Sequence, residues 1–249
     1  MKIALFPPSL EVGGIERVTV NLANGFAAAG VHTDLVTIKA GGKMEGQIND
    51  TVNHINLDAS RALTSLPRLI HYLRQHQPDI LIAPSPPVAL VALWAKMLSR
   101  ASTRIAVEIM NTPSAYQTNP LYWRENFYPV LTRLFYPRAD YVIAIAEAIR
   151  QDAIEYIKLP PEKIEVIYTP VITPDFEQRV NEVVDHPWVI QSEIPVILGV
   201  GRFVPQKDLH TLIRAFAEVR KDRPAYLIII GDGPQRASLE SLVKSLGLD

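Results

Sequence analysis

Ile3-Ala4-Leu5-Phe6 runs directly into Pro7-Pro8-Ser9-Leu10-Glu11-Val12-Gly13-Gly14-Ile15-Glu16, and from Ile15 onward Val18, Leu22 and Phe26 recur at three- or four-residue spacing until Gly30. A short apolar run, a glycine-bearing loop and an amphipathic repeat read, in that order, as strand, turn and helix. Gly30 is placed to end the helix before a second apolar stretch opens at Val31. The alternation continues outward, with apolar runs at residues 34–38, 80–83, 105–107, 141–145 and 164–167 and helical periodicity between most of them. Continuous apolar strands joined by helices predict an α/β, doubly wound parallel sheet covered on both faces.

The texture changes between Thr169 and Glu193, where Pro170, Pro174 and Pro187 interrupt a more polar stretch that includes Asp175, Glu177, Glu182 and Asp185. A second alternation then begins at Ile194, with a strand at 196–200, a helix carrying Leu209, Leu212, Ile213, Phe216 and Val219, a strand at 226–230 and a last helix carrying Leu239, Leu242, Val243 and Leu246. The expected organisation is a Rossmann-like domain over 1–170, an interdomain linker over 171–193 and the start of a second Rossmann-like domain over 194–249. Two strands and two helices cannot cover both faces of a parallel sheet, so this second domain is expected to be incomplete.

With 249 residues, 48% of them hydrophobic, the chain can bury a real core. A net charge of -1 provides no overall field for nucleic acid. Between Arg61 and Arg150, however, ten Lys or Arg face five acids. The absence of cysteine excludes disulfides, thiolate zinc sites and cysteine nucleophiles. Pro7-Pro8 interrupts the N-terminal apolar run too early for a signal peptide, and no later run approaches the roughly 20 residues of a membrane span, so a cytoplasmic placement is expected. The six histidines are scattered and no Asp-x-Asp occurs, so no metal is expected.

Three loops carry candidate chemistry. Gly13 and Gly14 at a helix start can admit a phosphate to backbone N–H groups, or can simply make a tight turn. Gly199-Val200-Gly201-Arg202-Phe203-Val204-Pro205-Gln206-Lys207-Asp208 follows a strand and enters a helix, so the fork of Arg202 and the point charge of Lys207 can converge on one diphosphate or stay solvated. In Gly231-Asp232-Gly233-Pro234 the glycines suit a tight turn and Asp232 suits a helix cap. Asn111, in the loop after the run ending near Val107, carries an amide that can stabilise its own turn. Glu16 and Glu108 are read as helix-start support or loop anchors. The aromatic and basic residues between Tyr116 and Arg138, among them Tyr122, Trp123, Phe127, Tyr128, Phe135 and Tyr136, fit a helix buried in the first domain or a shallow contact with a membrane.

Gly-Gly-x-Glu after the first strand, Gly-Arg-x-x-x-Gln-Lys-Asp in the second half and Gly-Asp-Gly-Pro before Leu239-Glu240 together resemble the family 4 retaining glycosyltransferases of the GT-B fold. The resemblance implies a two-lobed enzyme, its 1–170 domain on the acceptor side and its 194–249 domain binding the nucleotide sugar, that moves a sugar from a nucleotide-diphosphate donor to a saccharide or lipid-linked glycan in cell-envelope polysaccharide synthesis, without a metal or other cofactor. It implies catalytic roles for Arg202 and Lys207, donor binding by Gly13, Gly14, Gly201, Arg202 and Lys207, and sugar or acceptor contacts by Glu16 and Asn111. Many relatives carry a histidine where Asn111 stands. The family's pair of glutamates, spaced by seven residues, would fall beyond Asp249, so the chain is expected to be C-terminally incomplete. Peripheral contact with the inner face of a membrane is a further expectation. A sugar-nucleotide epimerase of the same fold and a truncated, non-catalytic binding module are the alternatives.

Overall fold

The computed structural model describes residues 1–114, 127–173, 176–190 and 193–248. The chain divides into two compact units, Met1–Thr173 and Pro174–Asp249.

Among the described residues, the first unit holds seven parallel strands: β1 (Lys2–Leu5), β2 (His32–Thr37), β3 (Asn53–Asn56), β4 (Ile80–Ala83), β5 (Arg104–Ile109), β6 (Tyr141–Ala144) and β7 (Ile164–Val166), in spatial order β3-β2-β1-β4-β5-β6-β7. Its described α-helices are α1 (Gly14–Ala28), α2 (Leu66–His76), α3 (Pro86–Ser99), α4 (Tyr128–Phe135) and α5 (Glu147–Tyr156). Strand residues alternate between two cores. Ala4, Phe6, Val36, Leu81, Ile105 and Val107 pack with residues of α2, α3 and α5, while Ile3, Leu5 and Leu35 pack against Val20 and Ala23 of α1. Helix α3 buries Val88, Ala89, Leu90, Val91, Ala92, Leu93 and Ala95. Apolar side chains all round a helix place it in the interior, and α3 contacts α2, α4 and the sheet. On the α1 side, the sheet beyond α1 is an apolar trough of about 330 Å³ that includes Ile80, Ile82, Ala106 and Ile143.

Helix α1 ends as its sequence predicts. Gly30 has φ +77°, its N–H donates to Ala27, and the N–H of Val31 donates to Phe26, which together satisfy the last carbonyls. Strand β3 was not expected, because Asn53-His54-Ile55-Asn56 has one apolar residue. It exists through pairing with β2, and Asn53 donates at 2.9 Å to the buried carboxylate of Asp34. That carboxylate also receives Tyr72 Oη at 2.7 Å and Lys2 Nζ at 2.9 Å. Burial alone would raise the Asp34 carboxyl, but the hydrogen bonds from Tyr72, Asn53 and Lys2 hold it below its ordinary value. One carboxylate thus ties β1, β2, β3 and α2 together.

The second unit holds β8 (Val196–Val200) and β9 (Tyr226–Ile230) as a parallel pair, with helices α6 (Phe176–Val180), α7 (Pro187–Ile190), α8 (Leu209–Asp222) and α9 (Arg236–Ser245). Phe203, Leu209, Ile213 and Leu239 form its core. The stretch before β8 contributes packing of its own, since Trp188 on α7 stacks on Tyr226 with ring centroids 4.3 Å apart and planes 8° from parallel. No helix among the described residues is long and apolar enough to cross a membrane.

Candidate functional site

In an open parallel sheet, ligands settle outside the carboxyl ends of the strands, where the strand order reverses. In the first unit that reversal lies between β1 and β4. The loop after β1 leads there into the N-terminus of α1, with Gly13 in extended backbone (φ -164°) and Gly14 as the first helical residue. A side chain on Gly14 would meet nothing within 4 Å, so its backbone is open to an approaching group.

The same end carries a negative charge. The Glu16 carboxylate folds back over Gly13, where an added Cβ would lie 2.2 Å from Glu16 Oε2, and it accepts a hydrogen bond from Ser9 Oγ at 3.0 Å. The partial positive charge of the helix start is therefore met by the chain's own carboxylate. An anion arriving at Gly13 has to turn Glu16 aside, whereas a sugar hydroxyl can donate to it. The expectation that Glu16 supports the helix start agrees with this geometry.

Glu108 is placed differently from its expected loop. Strand β5 continues to Ile109 because Glu108 and Ile109 pair with Ile143 and Ala144 of β6. Its neighbours Val107 and Ile109 point into the α3 core, which turns Glu108 to the opposite face, beside the apolar trough. Burial pushes its carboxyl up to about 7, and no hydrogen-bond or ion-pair partner meets it among the described residues. The burial of this carboxyl near a strand's carboxyl end is a feature that composition could not reveal; the signal available in the sequence was its even spacing from Ala106.

Asn111 is exposed and lines a crevice with Pro84, Pro86, Glu108 and Pro113. No hydrogen bond of its side chain occurs among the described residues, so the amide is not used to fix its own turn. Of the aromatic and basic segment, residues 115–126, including Tyr116, Tyr122 and Trp123, lie outside the described residues. The rest, on α4 and the residues flanking it, divides into a buried and an exposed set. Tyr136 is buried and Phe135 meets Trp94 edge-on at 5.6 Å, while Phe127, Val130 and Leu134 are exposed.

In the second unit, the loop after β8 and the loop after β9 are stitched together by backbone. The N–H of Gly201 donates to Ile230 at 3.0 Å, that of Phe203 to Asp232 at 2.8 Å, and that of Gln235 to Phe203 at 3.1 Å. The glycines of the Gly231-Asp232-Gly233 turn are required by this contact. A Cβ on Gly231 would stand 1.9 Å from the Gly201 oxygen, and one on Gly233 would stand 2.6 Å from that of Phe203. Asp232 is not the helix cap expected of it. Helix α9 begins at Arg236 with Gln235 at the N-cap, and Asp232 accepts from the Gly233 N–H at 2.8 Å and from Arg236 at 2.9 Å.

Arg236 is thus consumed by Asp232 and Glu240, and it also lies over the Phe203 ring at 5.4 Å. Arg202 and Lys207 are exposed and have no side-chain partner among the described residues. The aliphatic stem of Lys207 runs back beside Gly201, its carbons 3.6 Å from where a Cβ would be, so the structure brings the lysine to the loop that carries Arg202. Two unneutralised cations at the carboxyl end of a strand, on a backbone held by a second loop, can bind a diphosphate without first breaking an ion pair. Among the described residues, no group of three His, Asp or Glu side chains could hold a metal ion.

The model of Glycosyltransferase Family 4 matches residues 12–174, and that of Glycosyl transferases group 1 matches residues 181–249. The lipopolysaccharide core biosynthesis glycosyltransferase LpsE of Rhizobium meliloti (strain 1021) is 30% identical over 242 residues, which are 95% of this chain and 61% of that protein. The N-acetylgalactosamine-N,N'-diacetylbacillosaminyl-diphospho-undecaprenol 4-alpha-N-acetylgalactosaminyltransferase of Campylobacter jejuni subsp. jejuni serotype O:2 is 28% identical over 163 residues, 64% of this chain and 41% of that one. The chain therefore spans about half of the length of these curated relatives. The crystal structure of Anabaena Alr3699/HepE in complex with UDP-glucose superposes with a TM-score of 0.72 at 19% identity, over 100% of this chain and 67% of that one, which shows a shared GT-B fold. With a family model matched from residue 12 to residue 174 and a second one continuing to residue 249, this chain belongs to glycosyltransferase family 4.

Proposed function

We propose that the protein transfers a sugar from a nucleoside-diphosphate donor to a hydroxyl of a saccharide or lipid-linked glycan, with retention at the anomeric carbon, in the synthesis of cell-envelope polysaccharide. The observation that carries this reading is the unpaired pair Arg202 and Lys207 on the glycine-buttressed loop after β8. Two relatives, one named for lipopolysaccharide core biosynthesis and one for transfer to a diphospho-undecaprenol glycan, support the class of acceptor. The UDP-glucose bound to HepE supports the class of donor.

When the bond from the anomeric carbon to the diphosphate breaks, charge builds on the departing oxygen. The planar fork of Arg202 can hold two phosphate oxygens at once, and Lys207 adds a point charge beside Gly201. The released phosphate oxygen takes the proton of the acceptor hydroxyl as that hydroxyl bonds to the anomeric carbon on the same face. The products are a glycoside and a nucleoside diphosphate, and no metal or other cofactor enters the step. Gly13 and Gly14 are assigned as the first unit's donor contacts, with Glu16 and Asn111 as hydrogen-bonding partners of sugar hydroxyls. The exposed apolar stripe Phe127, Val130 and Leu134, with Arg133 beside it, is assigned to peripheral contact with anionic lipid at the cytoplasmic face of a membrane.

A donor screen on the full-length protein tests the reading. Acceptor-dependent release of a nucleoside diphosphate with at least one nucleotide sugar, and an α- or β-product that keeps the donor's configuration, is the expected result. No release with any donor in the presence of lipid-linked and soluble glycans would overturn it.

A further inference from the structure

The loops that follow β1, β2 and β3 lie side by side and enclose an open cleft of about 570 Å³ that the donor reading does not use. Its charge balance is unusual for a chain of net charge -1. Lys39 from the loop after β2 and Arg61 from the loop after β3 both line it, and neither has an acidic partner among the described residues. The nearby Asp58 is occupied by Arg68 at 3.1 Å. Glu11 is the one acid on the walls.

The backbone adds donors to these cations. None of the N–H groups of residues 39–43 donates to another described residue. Gly41 (φ +91°) and Gly42 (φ +128°) turn this stretch through conformations that side chains disfavour. The loop is held in place nonetheless. Gly42 sits against the backbone of Leu10, where a Cβ would come within 2.5 Å, and the Met44 N–H donates to the Leu10 oxygen at 2.9 Å. Ser60 supplies a hydroxyl whose nearest partner, Thr64, is 3.4 Å away. Backbone N–H groups left without a partner, in a wall that also carries an Arg and a Lys, are available to an anion.

We propose that this cleft binds a phosphate or diphosphate group carried by the acceptor, with Lys39 and Arg61 as its binding cations and as determinants of acceptor specificity. The inference rests on the reading of the first unit as the acceptor-binding unit. The same anion chemistry is offered by a phosphorylated sugar within a glycan and by the diphosphate that links a glycan to a lipid.

The test uses inorganic pyrophosphate first. It is titrated into protein carrying Arg202→Ala and Lys207→Ala, so that the second unit's cations do not contribute, and then into the same protein with Lys39→Ala and Arg61→Ala added. At least a tenfold loss of affinity on adding the second pair, with unchanged thermal unfolding, is expected; equal affinity overturns the inference. Removing the opposing charge by Glu11→Gln should tighten binding about two- to threefold. In the otherwise unaltered full-length enzyme, Lys39→Ala with Arg61→Ala should raise the acceptor KM at least tenfold and leave the donor KM unchanged. Running that assay with a soluble glycosyl phosphate and with a lipid-linked diphosphate sugar identifies the source, because only the true acceptor class loses affinity. An enzyme that transfers sugar to both with unaltered KM refutes the cleft but keeps the transferase. A protein that transfers nothing, yet binds pyrophosphate through Lys39 and Arg61, keeps the cleft and refutes the transferase.

Discussion

The loop after β1 and the loop after β8 are built to one plan, a short parallel strand, a glycine-bearing turn and a helix, and they end with opposite charge. At Gly13-Gly14 the Glu16 carboxylate lies over the glycine and is held by Ser9. At Gly201 the stem of Lys207 lies over the glycine and Arg202 is unpaired beside it. Their support differs as well. The first loop rises from strands whose alternate residues are fully buried on two faces, whereas no residue of β8 or β9 is fully buried. The second loop instead takes its shape from three backbone hydrogen bonds, one to the end of β9 and two to the loop after it. Glycine at a strand-to-helix turn thus fixes where a ligand can approach, and the side chains three to six residues further on fix what charge it meets.

Removing the cations is the strongest attack on that contrast. Arg202→Ala or Lys207→Ala in the full-length enzyme should lower kcat by about 10²- to 10³-fold, or roughly 3–4 kcal/mol, since each removes a preorganised charge from the leaving group. Steady-state turnover checks this, and unaltered kcat in both would remove the distinction between the two loops.

Gly231→Ala attacks the support. Its Cβ would meet the Gly201 oxygen at 1.9 Å, and backbone cannot give way there as a side-chain tip could. A loss of about 3 kcal/mol from the second unit is expected, read from denaturant unfolding, together with weaker nucleotide binding. Gly14→Ala is the control in the first loop. With open space around that position, stability should change by less than about 0.5 kcal/mol, so any loss of donor affinity reports a contact.

Glu108 sharpens the comparison of the two sheets. Its carboxyl titrates near 4.5 in an unfolded chain and about 7 in the fold, so the native state holds the extra proton between those values. The stability linked to this one proton therefore falls as pH rises from 4.5 to 7 and is gone above 7, while the rest of the fold's stability is unaffected. Glu108→Gln should remove this slope and add roughly 2 kcal/mol above pH 7, measured as the pH dependence of unfolding. The smallest effect belongs to Glu16→Gln, which should improve phosphate binding at the first loop by about two- to fivefold while costing the helix start roughly 0.5 kcal/mol.

Much of this arrangement was legible in the residues. The strands Ile80–Ala83, Val196–Val200 and Tyr226–Ile230 are continuous apolar runs, and they fold where those runs stand. Gly30 and Gly247 end their helices with φ of +77° and +63°, because only a residue without a side chain enters that region freely. Arg202 and Lys207 could be picked out because both lie in one loop. Strand β3 could not, since a polar tetrapeptide becomes a strand only when a neighbouring edge offers hydrogen bonds and Asp34 waits for Asn53. Asp232 looked like a cap because sequence spacing does not say where the first helical N–H groups will point.

The sequence by itself determined the periodicities, and with them the α/β class, the glycine turns and the cations that share a loop, because these follow from local backbone preference and burial of apolar runs. The tertiary structure alone decided the charge at each loop. It set Glu16 over Gly13, turned Glu108 away from the α3 core, and placed Lys39 beside Arg61 by laying β3 next to β2. Charge acts through space rather than along the chain, and only strand order and side-chain direction fix those distances.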